Sequence, residues 1–169
     1  MTWSVIARDA DGTLGVAIAS RFFAVGALCV HSRAGIGALC TQALMNPLYR
    51  DSGLALLAEG HAAASVVQQL TAADNGQAHR QLHVLPLHGD GAAFTGDQCV
   101  PWCGHQLHAD FTLAGNMLAG PEVLDATAAA YRQARDGGLP MAERLLAALH
   151  AGDSAGGDKR GRQSAALRV

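Results

Sequence analysis

The first quarter of the chain alternates short apolar runs with polar turns. Runs rich in Val, Ile and Ala cover Trp3–Ala7 and Leu14–Ala19, and the Asp9–Gly12 segment between them is typical of a turn. We therefore predict a β-hairpin. Two more strand-like runs follow, at Ala27–His31 and Ile36–Gln42. Four strands in a row without an intervening helix predict a meander, in which one sheet forms early in the sequence.

Beyond Asn46-Pro47, apolar residues recur first at helical spacing, then in strand-like runs, then at helical spacing again. The predicted helices are Gly53–Glu59, Ala62–Ala73, Pro121 to about Arg135, and Pro140 to about His150. The predicted strands are Gln81–Leu87, Ala92–Thr95, Phe111–Ala114 and Ser164–Val169. This order predicts an α+β domain with antiparallel sheets and helices on their outer faces. The pattern suffices for a four-layer αββα sandwich but does not choose it over a two-layer fold.

Composition narrows the class of protein. The 169 residues are 50% hydrophobic and 15% charged, with a net charge of −2, which fits one folded domain over residues 1–169. Twelve basic against fourteen acidic residues leave no cationic surplus for nucleic acid. No apolar run is long enough to span a membrane, and the N-terminus lacks the pattern of a signal peptide. We therefore expect no nucleic-acid or membrane partner and a cytoplasmic location. The low charge also favours a homo-oligomer.

The four cysteines do not form a recognisable framework. Cys99, Cys103 and His105 superficially resemble a metal cluster, but no second Cys/His pair at suitable spacing completes it. We predict reduced, buried or half-buried thiols, no metal and no cofactor.

Thr2 is the first candidate for chemistry. Methionine is normally trimmed before a small second residue, which would leave a threonine whose α-amine lies next to its hydroxyl. Such an amine titrates near neutral pH and can serve as the base that activates the hydroxyl as a nucleophile. On position alone, a threonine that simply begins a strand remains the more common situation.

Further candidates lie after strand ends. Arg21, following Ser20, is suited to hold a substrate carboxylate or to lower the pKa of a nearby amine, although a structural ion pair is as common. The amides of Gln42 and Asn116 could donate to an oxyanion or could satisfy turns. His105 is the histidine that we retain as a candidate.

A glycine-rich segment from Gly156 to Ser164 carries three cations and a carboxylate. Asp158, Lys159 and Arg160 are its charged core, and such a segment suits either an anionic ligand or a flexible solvated loop. It lacks the spacing of a phosphate-binding P-loop.

Together these segments resemble the DUF1028 family over essentially the whole chain. The matching segments are Thr2–Asp9, Ala19–Gly26, Thr41–Ala43, Pro101–His105, Gly115–Gly120 and Gly156–Ala165. The resemblance implies the Ntn-hydrolase (N-terminal nucleophile) superfamily and therefore the four-layer αββα sandwich. Relatives continue past the last strand, so the resemblance also implies a C-terminal segment that this chain lacks.

The superfamily implies an amide hydrolase with Thr2 as nucleophile and base. Carried onto this sequence, Arg21 or Lys159 would tune the amine, Asn116 would donate to the oxyanion, and Asp158 would orient Lys159 or the substrate. Ser20, Gln42, His105 and Arg160 would bind the substrate, a small polar amide. The alternative is a non-catalytic module that binds a small anionic ligand through Arg21, Lys159 and Arg160.

Overall fold

The protein is described by a computed structural model that covers residues 2–169. It is an α+β fold with two antiparallel sheets and, within the described residues, five α-helices. The strands are β1 (Thr2–Arg8), β2 (Leu14–Ser20), β3 (Val30–Arg33), β4 (Gly37–Ala43), β5 (Arg80–Pro86), β6 (Ala92–Thr95), β7 (Gly104–Leu107), β8 (Phe111–Asn116) and β9 (Ser164–Arg168). The helices are α1 (Val25–Cys29), α2 (Tyr49–Ala58), α3 (Ala63–Ala72), α4 (Glu122–Asp136) and α5 (Met141–Ser154).

The first sheet has the strand order β7-β8-β1-β2-β9, and the second has the order β3-β4-β5-β6. The predicted hairpin is confirmed, since β1 pairs with β2 across a turn in which Gly12 has a φ of 90°. The predicted four-stranded meander is wrong. The short helix α1 replaces most of the expected strand Ala27–His31, and the chain crosses there from the first sheet to the second.

Alternating side chains of β1 explain why nearly the whole strand is buried. Trp3 and Val5 belong to an apolar cluster with α4 and α5. Ile6, on the other face, packs in a cluster with Cys40 and Leu85 of the second sheet. Because both faces of β1 are covered, its sequence is almost continuously apolar.

The second sheet has its own helix pair. Leu39 of β4 and Leu82 of β5 pack with residues of α2 and α3, including Val66 and Leu70. The neighbouring side chains on the same strands, such as Cys40 and Leu85, face the first sheet. Period-two alternation therefore decides which layer each side chain joins.

All four predicted helices are present, although their observed bounds differ from the predicted ones. Helix α5 continues to Ser154, past the predicted end near His150. Gly152 does not stop this helix. A Cβ there would lie 2.4 Å from Thr127 Oγ1 and 2.8 Å from Trp3 Nε1, so the glycine permits a close approach. No helix within residues 2–169 is long and apolar enough to cross a bilayer.

Candidate functional site

Three strands of the first sheet meet at one buried polar corner. Thr2 begins β1, Ser20 ends β2 and Asn116 ends β8, and Thr2 is the register partner of both. Thr2 is 5% exposed, Ser20 is fully buried and Asn116 is 1% exposed. Thr2 Oγ1 and Ser20 Oγ are hydrogen-bonded at 3.0 Å. The register brings three of the predicted site residues together.

Gln81 of β5 joins this corner to the second sheet. Its Oε1 accepts hydrogen bonds from Gln42 Nε2 at 2.7 Å and from Asn116 Nδ2 at 3.1 Å. Its Nε2 donates to the Gly115 carbonyl at 2.8 Å, and further acceptors are Thr95 Oγ1 and the Gly104 carbonyl. The amide of Gln81 is therefore saturated and holds the end of β8 against β4 and β5.

A chain of hydrogen bonds extends from Gln42 into the interior. Ser4 Oγ donates to Gln42 Oε1 at 2.7 Å and lies 2.8 Å from His83 Nε2. Because the serine proton goes to Gln42, the Nε2–H of His83 donates to Ser4, and Nδ1 accepts from Thr112 Oγ1 at 2.9 Å. This arrangement assigns the neutral Nε2–H tautomer to His83. Burial lowers the pKa of His83 to about 3, with a further contribution from repulsion by His105.

His105 attaches to the same network at its edge. It lies on β7, and its Nδ1 is 2.9 Å from Thr95 Oγ1, which also accepts from Gln81. Burial lowers the pKa of His105. Of the predicted site residues, Gln42, Asn116 and His105 thus share one hydrogen-bonded network. The hydrogen-bonded pair of Thr2 and Ser20 lies beside it, because Thr2 is in register with Asn116.

The remaining predicted residues form a second cluster beyond β2. Asp158 Oδ2 accepts from the Arg21 backbone N–H at 3.0 Å, and Oδ1 accepts from the Arg160 N–H at 2.8 Å. The Arg160 guanidinium lies 3.4 Å from the same carboxylate, and Arg21 Nη1 donates to the Arg160 carbonyl at 2.5 Å. Lys159, which lies between Asp158 and Arg160 in the sequence, is exposed. The described partners of the Asp158 carboxylate are thus Arg21 and Arg160.

The segment that carries this cluster crosses the start of β1. The Gly157 carbonyl accepts from the Ala119 N–H, and Asp158 bridges to Leu118, two residues beyond β8. On the other side, Asp158 binds Arg21, one residue beyond β2. Since β1 lies between β8 and β2, residues 157–160 pass over the point at which β1 begins.

A pocket of about 220 Å³ opens beside Asn116. Its lining comprises Ala43, Leu44, His79, Gln98, Cys99, Val100, Asn116 and Met117; we call it the Asn116 pocket. Two of these residues are held in the left-handed backbone region, Ala43 at φ 64° and Met117 at φ 55°. Such strain concentrates at functional sites because the surrounding structure must maintain it. A larger depression of about 410 Å³ between α1 and β9 includes none of the buried polar side chains.

Gln81, His83 and Thr95 belong to the hydrogen-bonded network but were not among the predicted site residues. The predicted strand Gln81–Leu87 places Gln81 and His83 on one face and Leu82 and Val84 on the other. Polar residues at every second position of an otherwise apolar strand indicate a buried polar partner, and that signal was available.

Cys99 and Cys103 do not form a metal site with His105. Cys99 Sγ donates to the Arg80 carbonyl, Cys103 Sγ donates to the Cys99 carbonyl, and His105 is engaged with Thr95. Among residues 2–169, no group of three or more His, Cys, Asp or Glu side chains could hold a metal ion. Met1, whose removal the nucleophile hypothesis requires, lies outside the described residues.

Comparison with known proteins agrees with the predicted resemblance. The crystal structure of protein SPO2555 from Silicibacter pomeroyi, a DUF1028 protein, is similar to this chain with a TM-score of 0.91 and 33% sequence identity. The match covers 98% of this chain and 71% of that one. No curated protein matches the chain. The family model for DUF1028, a family of unknown function, matches residues 2–169. The chain therefore belongs to the DUF1028 family.

Proposed function

We propose that the protein is an Ntn-type amide hydrolase in which Thr2, after removal of Met1, is the N-terminal nucleophile. The observation that supports this most is the buried corner at the start of β1. There, the Thr2 hydroxyl is hydrogen-bonded to Ser20 and its register partner on the other side is Asn116. A nucleophile needs a fixed hydroxyl and a nearby amide donor, and this corner supplies both.

In the proposed reaction, the Thr2 α-amine takes the proton of the Thr2 hydroxyl as Oγ1 attacks the substrate carbonyl carbon. One N–H of Asn116 Nδ2 donates to Gln81 Oε1. The second N–H of this amide group would donate to the developing oxyanion. The carbon–nitrogen bond then breaks, and the leaving amine takes the proton back. Water hydrolyses the resulting threonine ester and restores the free enzyme.

The cations beside β2 supply the electrostatics of this proposal. A positive charge at Arg21 or Lys159 would lower the pKa of the Thr2 amine and keep more of it in the basic form. Asp158 accepts hydrogen bonds from the backbone N–H groups of Arg21 and Arg160 and would thereby hold residues 157–160 over the Thr2 amine.

The layer arrangement is consistent with the four-layer αββα sandwich that an Ntn hydrolase requires. Helices α4 and α5 pack on one face of the first sheet, and α2 and α3 pack on the second sheet. A third apolar cluster joins side chains of both sheets. We infer the complete sandwich from these three contacts.

The first test is the intact mass of untagged protein, followed by a screen for amine release from small amides. We expect a mass lighter by one methionine and activity that Thr2→Ser retains and Thr2→Ala abolishes. Thr13→Ala, at the β1–β2 turn, is the matched control and keeps full activity. Retention of Met1, or full activity in Thr2→Ala, would overturn the proposal.

The second candidate is a binding module for a small anion. It is favoured by the excess of cations at and beside residues 157–160, where Arg21, Lys159 and Arg160 outnumber the one carboxylate, Asp158. Thermal stabilisation by phosphate or citrate that survives Thr2→Ala but is lost in Arg21→Ala would support it. The absence of any shift with either anion counts against it.

A further inference from the structure

We propose that the substrate is a short-chain N-acyl amino acid and that its two ends bind on opposite sides of Thr2. The acyl chain would lie in the Asn116 pocket, on the β8 side. The carboxylate would lie at Arg21 and Arg160, on the β2 side. This inference rests on the proposed function, because it takes Thr2 as the point of cleavage.

The Asn116 pocket suits an uncharged apolar group. Leu44 and Val100 stand at its wall, 62% and 52% exposed respectively, and Met117 and Ala43 complete the apolar part. Among the described residues, no Asp, Glu, Lys or Arg lines it. Its polar lining residues are His79, Gln98, Cys99 and Asn116. A cation placed there would meet no carboxylate and an anion would meet only the imidazole of His79, so an uncharged group binds with the smallest loss of hydration.

The size of the Asn116 pocket limits the group to a short chain. Its volume of about 220 Å³ lies below the roughly 300–1,000 Å³ of pockets for drug-sized ligands. At about 30 Å³ for each water molecule in the liquid, it corresponds to roughly seven waters. An acyl chain of about six carbons is of this order.

The β2 side has the opposite character. Arg21 and Arg160 are exposed cations, and the one carboxylate between them, Asp158, already accepts from two backbone N–H groups and the Arg160 guanidinium. A second carboxylate from a substrate would meet a net positive charge. Guanidinium groups suit such a ligand because they can donate two parallel hydrogen bonds.

The geometry of the sheet places these features on either side of the candidate nucleophile. Asn116 and Ser20 are both register partners of Thr2, and neighbouring strands lie about 4.8 Å apart. The carbonyl of an N-acyl amino acid, flanked by its chain and its carboxylate, would therefore lie near Thr2 Oγ1. The reaction consumes one water and yields a short-chain carboxylic acid and a free amino acid.

Binding of N-acylglycines to the Thr2→Ala protein tests this without hydrolysis. Isothermal titration calorimetry should give an affinity for N-hexanoylglycine well above that for N-acetylglycine, rising about fourfold for each methylene that the pocket buries. N-Hexanoylglycinamide, which lacks the carboxylate, should bind at least tenfold more weakly than N-hexanoylglycine.

Two pairs of variants assign the two ends, each made in the Thr2→Ala background. Val100→Phe should weaken N-hexanoylglycine at least tenfold and leave N-acetylglycine nearly unchanged. Leu107→Phe, at a similarly exposed position on β7 outside the pocket, should change neither. Arg160→Gln should weaken both acids, whereas Arg162→Gln, whose arginine pairs with Asp153, should not.

This inference would be overturned if no N-acylglycine bound measurably at 10 mM. It would also be overturned if the affinity did not depend on chain length and did not change in Val100→Phe. The same inference fails if removal of the carboxylate leaves the affinity unchanged. Failure of the proposed function has a separate signature, because it would appear as retained Met1 or as an active Thr2→Ala protein.

Discussion

The space between the two sheets is apolar at one end and polar at the other, although the same strands line both ends. Ile6, Ile18 and Leu85 fill one end. Toward the other end, the same strands present Thr2, Ser20 and Gln81. An apolar interior contributes more stability for each buried residue than a polar one, because most of the energy of a buried hydrogen bond offsets the desolvation of its two groups. The polar end therefore contributes a fixed arrangement of donors and acceptors more than it contributes stability.

The largest effect is expected from a cavity in the apolar end. Ile18 is fully buried, so Ile18→Ala should lower the free energy of unfolding by about 2–5 kcal/mol. Urea denaturation monitored by circular dichroism measures this change. Leu48→Ala, at a residue that is 76% exposed, is the control and should change it by less than about 0.5 kcal/mol. An Ile18→Ala protein as stable as the control would mean that this end is not a packed core.

The next effect is a loss of stability in mild acid that originates in the polar end. His83 is neutral in the folded protein with a pKa of about 3, whereas an unfolded histidine titrates near 6.5. Between these values the unfolded chain binds the extra proton, so stability falls as the pH falls from about 6.5 toward 3, by about 1 kcal/mol for each pH unit.

Urea midpoints at pH 7, 6 and 5 measure this dependence, and His83→Gln should flatten it. His61→Gln, at an exposed histidine, is the matched control and should retain it. An unchanged slope in His83→Gln would show that other groups govern the acid sensitivity.

A smaller loss of stability is expected when Gln81, which connects the polar side chains of this end, is replaced. Gln81→Leu leaves the donors of Gln42 and Asn116 without their shared acceptor and the Gly115 carbonyl without its donor. The cost should be about 1–3 kcal/mol, because each buried group loses a partner while the leucine gains some apolar contact. Denaturation curves measure it, with the exposed substitution Gln68→Leu on α3 as control. A Gln81→Leu protein more stable than the parent would contradict the saturated network described for Gln81.

The smallest change in stability is expected from the hydrogen bond between Ser20 and Thr2. Ser20→Ala removes the hydrogen bond to Thr2 Oγ1 and should lower the free energy of unfolding by about 1 kcal/mol. If the proposed function is correct, the rate of amide hydrolysis by Ser20→Ala should fall by a larger factor than this loss of stability explains, because the nucleophile loses its fixed position. Ser154→Ala, at the exposed end of α5, is the control for both measurements. Equal activity in Ser20→Ala and the control would contradict a positioning role for Ser20.

The sequence pattern predicted elements more successfully than it predicted their assembly. The hairpin of β1 and β2, the four longer helices and the α+β class follow from local periodicity and from residues such as Pro121 and Pro140. The exchange of sheets at α1 depends on packing between distant segments. The left-handed φ of Ala24 before α1 has no signal in the alanine itself. The strand Gly104–Leu107 was missed because it is short and only partly buried.

The candidate site divides in the same way. Thr2 was chosen because it follows Met1, and Arg21, Asn116 and Asp158 were chosen because each stands at a strand end or in a glycine-rich segment. Gln81, which connects Asn116 to Gln42 of the second sheet, carries no titratable or nucleophilic group and is recognised only through its partners. Pairing between β1 and β8 spans more than 100 residues, and no local pattern encodes it.

The strand order also has a consequence for how the chain matures during synthesis. All strands of the second sheet lie within residues 30–95 and can pair with their helices before the rest of the chain exists. The first sheet cannot, because β1 receives its second neighbour only when residues 111–116 have left the ribosome. Until then, β1 is unpaired along the edge that β8 later occupies. Residues 157–160, which cross the start of β1 in the folded protein, are made later still. The removal of Met1 that the proposed function requires would therefore have time to occur before this segment is made.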